Sequence, residues 1–358
     1  MKKELPKYLA PRDENPANNK EYKYIPKKIF QTYETTQVSS GMYDAVHTWI
    51  DKNPDWEYHF FDKGDRRNFI KDNFPKKVLA AYDTLIPGAY KADLWRYCIL
   101  YIYGGVYNDI KQELFISLND VFPSDVEFLS IKDLDVDREF PVCIYQAFIC
   151  SKPKHPFLKK VIDMVCENVE LGYYGYDVFS PTGPAAIGKA INLVINKPES
   201  NPHIIGSHDI SGYKYILWAE DFSNHMCLTD KLVPVFSCTY SNYYHERIKK
   251  SASSNVLTYG RMWYFNQIYT HGKIYRPNEA RYKQKIKSER ASWVNSLYKY
   301  AGKEKARRGV CISIISGHVS FRLLWLFIRY ECVNPVIGFL KLISKFIFKL
   351  INKKKLEV

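Results

Sequence analysis

The sequence predicts an α/β domain followed by a basic, helical appendage, and three observations predict it. Strand-like and helix-like runs alternate from about residue 25 to residue 195, the order that builds a sheet covered by helices. Hydrophobic residues make up 46% of the 358-residue chain, enough to bury a sizeable core and to exclude global disorder. Charge is divided sharply along the chain. Residues 1–280 hold 34 Lys and Arg against 34 Asp and Glu, whereas 281–358 hold 18 against 4 and so carry the whole net charge of +14. The expected organisation is a loose polar arm over 1–22, the α/β domain over 23–280 and the appendage over 281–358.

Regular structure begins at IPKKIFQTY (25–33), a strand-like run behind a proline. DAVHTWIDKNPD (44–55) reads as a short helix stopped by Asn53-Pro54, WEYHFFD (56–62) as a second strand, and 65–73 as a polar helix. KADLWRYCILYIYGG (91–105) is an apolar helix closed by glycine at its C-terminus. VYNDI (106–110) follows as a short buried strand, and VEFLSIKD (126–133) and VCIYQAFICS (142–151) add two more. HPFLKKVIDMVCENVE (155–170) has the 3.6-residue period of an amphipathic helix. PTGPAAIGKAINLVI (181–195) reads as a loop running into a helix. The acidic DLDVDRE (133–139) lacks the glycine and terminal glutamate of a calcium loop and reads as a solvated turn.

The eight cysteines form no Cys-x-x-Cys pair, and their spacing suggests neither a zinc site nor a disulfide framework. Most sit in apolar runs, as buried free thiols do. Behind its short basic start the N-terminus has no apolar stretch, so neither a secretory signal nor an N-terminal anchor is expected there. These features point to a reducing location facing the cytosol. A nucleic-acid partner is disfavoured, because the main domain is neutral overall. In the appendage, 333–355 places Lys341, Lys345 and Lys349 at four-residue steps among Ile, Leu and Phe. That stripe suits a helix lying in an anionic membrane surface better than one crossing the bilayer. Segment 310–328 carries His318 and Arg322 and is likewise a poor membrane span.

The chemistry concentrates in AYKADLWRYCILYIYGGVYNDIK (89–111). Asp93 and Arg96 stand three apart and share a helix face. Their neighbours bury that helix nearly all round, so the two charges need partners. Either they satisfy each other, or they face a cleft at the carboxyl edge of the sheet and hold a polar ligand. Gly104-Gly105 permits a tight turn into the strand that ends at Asp109.

This run resembles the family 32 sugar transferases, the glycosyltransferase group with a DXD sugar-binding motif. The family pattern is roughly Asp-x-x-Arg followed by Gly-Gly-x-Tyr-x-Asp-x-Asp. Asp93, Arg96, Gly104, Gly105, Tyr107 and Asp109 stand at the matching spacing. IPKKIFQTY, NPDWEYHFFD (53–62), YQAFICSKPKHPFL (145–158) and TGP (182–184) match further blocks, so the resemblance spans about 24–270. It implies a GT-A type, Rossmann-like domain that binds a UDP- or GDP-linked sugar. It also implies retaining transfer of that sugar to a glycan or lipid-linked acceptor, as in surface polysaccharide or glycolipid synthesis. By resemblance Asp93, Arg96, Gly104, Gly105, Tyr107 and Asp109 bind the donor, and Phe30, Gln31, Thr32 and Tyr33 line the nucleobase slot. Thr182, Gly183, His245, Tyr259 and Trp263 are candidates for the acceptor or a closing loop. Taken with the basic appendage, it implies a peripheral enzyme at the cytosolic face of a membrane.

The chain departs from the pattern at Lys111, which stands where the family has its last DXD carboxylate. That carboxylate commonly binds Mn²⁺ or Mg²⁺, which an ammonium cannot ligate. Three readings stay open. Lys111 itself neutralises the diphosphate, a metal is held by Asp109 with another residue such as Glu113, or catalysis is lost and the chain serves as an inactive, sugar-nucleotide-binding partner subunit. Phe30 in place of the usual His is a milder departure.

Overall fold

The computed structural model describes residues 2–12, 21–133, 142–221, 224–247 and 258–277. The appendage expected over 281–358, with its two apolar segments, lies outside the described residues, as do Cys311, Cys332 and most of the acidic 133–139 turn. No helix among the described residues is long and apolar enough to cross a membrane.

The elements run β1 (Lys2–Glu4), β2 (Tyr8–Leu9), β3 (Lys28–Thr32), β4 (Gln37–Ser39), α1 (Ser40–Lys52), β5 (Glu57–Phe61), α2 (Lys63–Asn73) and α3 (Lys76–Thr84). Then come α4 (Gly88–Tyr103), β6 (Gly105–Asn108), β7 (Glu113–Leu114), α5 (Leu118–Val121), β8 (Phe128–Ile131), β9 (Phe148–Ser151), α6 (Pro156–Leu171) and α7 (Pro184–Val194). β10 (Gly206–Ile210), β11 (Tyr213–Asp221), β12 (Met226–Leu228), β13 (Pro234–Ser237) and α8 (Tyr259–Tyr264) complete them. The fold is mixed α/β. Its main sheet has the order β2-β5-β3-β6-β9-β8-β11-β12-β13-β7, with β10 beside β11. β3 pairs parallel with β5 and β6, whereas β9 runs antiparallel to β6 and β8.

Alternation along the central strands divides the core into two layers. Phe30 and Tyr107 face one layer with α2, α3, α4, α6 and α7, while Ile29 and Val106 face the other with α1. α2 begins with a reciprocal cap, in which Asp62 accepts from Gly64 and Asp65 while Asp65 accepts from Asp62. α6 begins with His155 accepting from Phe157 and ends at Gly172 in the left-handed conformation. All six described cysteines are buried free thiols.

The arm over 1–22 is not loose where it is described. β1 pairs with β4, β2 pairs with β5, and Leu5 is buried. Lys7 holds Asp62 and Asp65 at 3.0 and 2.7 Å. Two- and three-residue strands carry no readable period, so these pairings escape a sequence pattern. The strand expected over 142–151 is strand only from Phe148, because the residues before it form a loop. α3 and β10 to β13 have no counterpart among the sequence-predicted elements.

α4 and β6 meet at Gly104 and Gly105, with φ of 64° and 91°. A Cβ on Gly104 would lie 2.8 Å from the Ser151 carbonyl oxygen, and one on Gly105 would lie 2.6 Å from that of Lys28. The pair is therefore required both by the backbone conformation and by close approach. Gly105→Ala is expected to cost on the order of 3 kcal/mol, from strain together with forced separation of β6 from β3. Urea unfolding should show a lower midpoint at unchanged slope. An unchanged midpoint would mean that the strand end yields freely.

Candidate active site

The carboxyl ends of β3 and β6 open into a cleft of about 1470 Å³. Its walls include Thr32 to Glu34 after β3, the first turns of α4, Asp109 to Lys111 after β6, Gln146, Gly183, and an aromatic rim of Tyr240, Tyr243 and Tyr259.

A ladder of alternating charges lies along it. Arg96 Nη2 is 3.1 Å from Asp93 Oδ1 and Arg96 Nη1 is 3.6 Å from Asp109 Oδ1, while Lys111 Nζ is 3.2 Å from Asp109 Oδ2. The Arg96 guanidinium lies 4.4 Å from the centre of the Tyr107 ring, and Tyr107 Oη donates to Asp109 Oδ1 at 2.7 Å. The Asp109 N–H donates to the Ala147 carbonyl at 2.9 Å, which fixes the end of β6. On the other side, Gln146 Nε2 donates to Asp93 Oδ1 at 3.0 Å and Thr182 Oγ1 to Asp93 Oδ2 at 2.7 Å. Arg96 Nη1 donates to the Gln146 carbonyl at 2.9 Å. Ionised Asp93 has about four acceptor positions. The three donors around it leave room for a single ligand hydroxyl.

Burial pushes the Asp93 carboxyl up to about 6, against the pull of Arg96, Thr182 and Gln146. For Asp109, burial opposes ionisation, but Lys111 and then Arg96 outweigh it and hold its pKa below the usual carboxylate range. Burial likewise opposes the Lys111 charge, and Asp109 more than restores it.

The structure brings Thr32, Tyr33, Asp93, Arg96, Tyr107, Asp109, Lys111, Gly183 and Tyr259 to the cleft. Thr32 has its hydroxyl engaged, donating to the Phe61 carbonyl and accepting from the buried Arg66. Thr182 is fully buried behind Asp93. Six others stand elsewhere. Phe30 is buried in the core, because its place on β3 turns it into the layer of α2 and α4. Gln31 is fully buried and accepts from Tyr58, because its place on β3 turns it into the α1 layer. Gly104 and Gly105 lie at the end of β6 opposite Asp109. Trp263 is in the core, donating to the Tyr174 carbonyl, with Arg276 over its ring at 4.3 Å. His245 is exposed and is not among the residues lining the cleft.

Residues not singled out individually in the sequence also build the site. They are Gln146, Tyr97, Arg66, Tyr145 and Tyr243. Arg66 ties the β3 edge by bonding Thr32, the Tyr33 carbonyl and Glu34. The Tyr240 N–H donates to the Lys111 carbonyl, and Glu246 accepts from Ser39 and from the Tyr240 hydroxyl. A lone polar residue in an apolar run was the available signal for Gln146 and Arg96 alike.

The residues at Asp109 do not fit a divalent cation. Both carboxylate oxygens already face cationic or hydroxyl donors, with an ammonium where a second oxygen ligand would be needed. Glu113 lies on β7 and is not among the cleft residues, which removes it as a second ligand. Among the described residues no three His, Cys, Asp or Glu side chains are gathered as a metal ion needs.

A cleft at the carboxyl edge is where open α/β sheets hold their ligands, and this one carries paired carboxylates and cations on its wall. Residues 39–127 match the family described as the glycosyltransferase sugar-binding region containing a DXD motif. The resemblance to the family 32 sugar transferases is borne out. The chain is 34% identical over 164 residues to inositol phosphoceramide mannosyltransferase 2 of Schizosaccharomyces pombe, covering 46% of this chain and 45% of the relative. It is 27% identical over 177 residues to a mannosyl phosphorylinositol ceramide synthase of Saccharomyces cerevisiae, covering 49% and 44%. Over 230 residues it is 24% identical to an initiation-specific alpha-1,6-mannosyltransferase of Candida albicans, covering 54% and 58%. The chain thus spans about half the length of these curated relatives.

The raised pKa of Asp93 has a consequence for stability. Its folded-state value lies above the unfolded one, so its contribution is fully present below pH ~4 and is lost as pH rises through 6. The difference in unfolding free energy between the native chain and Asp93→Asn should therefore change by on the order of 2–3 kcal/mol across that window. Urea titrations at pH 4, 5, 6 and 7 measure it. Parallel profiles would mean that Asp93 titrates normally.

Proposed function

We propose that the chain is a glycosyltransferase of GT-A architecture. In this reading it moves a hexose from a nucleoside diphosphate to a hydroxyl of a glycan or lipid-linked acceptor, with retention at the anomeric carbon. The observation that carries it is the ladder Asp93–Arg96–Asp109–Lys111 beside the end of β6. The relatives named as mannosyltransferases put mannose first among the sugars to test. The carboxylates accept hydroxyls of the donor, and Tyr33 offers its ring to the base. When the bond between the anomeric carbon and the phosphate oxygen breaks, the leaving diphosphate gains charge. Lys111 and Arg96 offset that charge, as fixed cations do in phosphoryl chemistry. The acceptor hydroxyl passes its proton to the leaving diphosphate oxygen as its own oxygen bonds to the anomeric carbon.

The competing reading, an inactive donor-binding subunit, is favoured by one observation, the engagement of Asp109 by Lys111 itself. Binding and transfer assays with GDP-mannose, UDP-glucose and UDP-galactose separate the two. Asp93→Asn and Asp109→Asn should each lower transfer by about a hundredfold or more, while circular dichroism stays native. EDTA should leave most of the activity in place. Complete loss in EDTA, restored only by Mn²⁺, would defeat the role given to Lys111, and donor binding without any transfer would favour the inactive subunit.

We also propose that 281–358 tethers the enzyme to the cytosolic face of a membrane as a peripheral protein, on the strength of its charge and amphipathic pattern. Each Lys or Arg near an anionic surface contributes ~1 kcal/mol, and salt screens the attraction. The full chain should sediment with phosphatidylserine vesicles at low salt, and a chain ending at residue 280 should not. Equal sedimentation of both, or of neither, would remove this role from the appendage.

A further inference from the structure

We propose that Gln146 is a positioning residue that aims Asp93 and Arg96 at the sugar of the donor. The inference rests on the reading of the cleft as a sugar-nucleotide site. Gln146 sits in the loop before β9, and it touches both charged groups at once. Its side-chain nitrogen donates to Asp93 Oδ1 at 3.0 Å, and its backbone carbonyl accepts from Arg96 Nη1 at 2.9 Å.

The amide has one orientation available. Tyr97 Oη, on the same helix as Asp93, lies 2.5 Å from Gln146 Oε1 and 3.0 Å from the Thr182 carbonyl. A hydroxyl hydrogen directed to the amide oxygen leaves the amide NH₂ for Asp93. Reversing the amide would set its oxygen against the carboxylate. The loop is itself anchored, since the Ile144 N–H donates to the Pro184 carbonyl at the start of α7. Gly188 of α7 lets Val142 approach, because a Cβ there would fall 1.6 Å from the Val142 carbonyl oxygen.

The consequence is selective. Asp93 has one free acceptor position, and Gln146 determines which way it points. A sugar hydroxyl needs that position, whereas a nucleoside diphosphate without its sugar does not. Gln146 therefore governs recognition of the sugar more than that of the nucleotide.

The test compares GDP-mannose with GDP, and UDP-glucose with UDP, by calorimetry on the full chain. Gln146→Glu replaces the donor by a second carboxylate 3.0 Å from Asp93, and Gln146→Met keeps the length without a donor. Each should weaken the sugar nucleotide roughly tenfold, about one buried hydrogen bond, and leave the sugarless nucleotide within about twofold of native. The transfer assay should show the loss mainly in donor KM. Tyr97→Phe, which frees the amide without touching the cleft, should give a smaller loss of the same kind and guards against a Gln146 variant that folds poorly. Equal weakening of both ligands, or of neither, overturns the proposal. A native chain that binds no sugar nucleotide of either kind overturns instead the reading on which it rests.

Discussion

The ion-pair ladder from Asp93 to Lys111, buried at Asp93 and Arg96 and half-buried at Asp109 and Lys111, is the constraint that the rest of the site obeys. Removing a charge from water costs several kcal/mol unless it finds an opposite charge and further hydrogen bonds. α4 is buried over most of its length, so its two buried charges, Asp93 and Arg96, can leave the apolar layer only along one line, toward the end of β6. Arg96 stands between two carboxylates, and each carboxylate has a second source of donors. For Asp93 these are Gln146 and Thr182, and for Asp109 they are Tyr107 and Lys111. The tight turn at Gly104 and Gly105 keeps β6 beside α4 and so makes this ladder possible.

The sequence revealed the parts of the site that are local. Asp93, Arg96, Asp109 and Lys111 fall within one run, and the burial of the surrounding helix forces its charges to a boundary. The partners from distant segments were not legible as such. Gln146 and Arg66 reach the cleft, and Thr182 the back of Asp93, only because β9, α7 and α2 pack where they do. Gln31 illustrates the converse. It adjoins Thr32 in sequence, but strand alternation turns its side chain to the other layer. The pairing of β1 with β4 and of β2 with β5 escaped for a different reason. Such short strands are specified by register with a neighbour rather than by their own period.

Lys111 stands where the family resemblance places a carboxylate, and its contacts differ from those of a metal ligand. A divalent ion beside two carboxylates and a fixed ammonium beside one carboxylate differ in charge and in freedom. The ammonium is carried on a flexible stem, so its position must be held by the protein. Asp109 holds it at 3.2 Å, and the Tyr243 ring centre lies 5.7 Å from it. The Lys111 carbonyl also accepts from the Tyr240 N–H, which links the residue to the aromatic rim. That rim is tied in turn to the start of α1 through Ser39 and Glu246.

In a balanced ladder each cation is largely engaged before any ligand arrives. An anion entering the cleft must share Arg96 and Lys111 with their carboxylates, which by itself is a poor exchange. A ligand that also brings hydroxyl donors changes the balance, because those donors replace what the carboxylates lose. The alternation of charge therefore favours a molecule with phosphate and hydroxyl groups side by side over one that is anionic alone. Free inorganic phosphate offers fewer such donors than a nucleoside diphosphate sugar does. The same alternation lets the site admit an anion without an excess of positive charge.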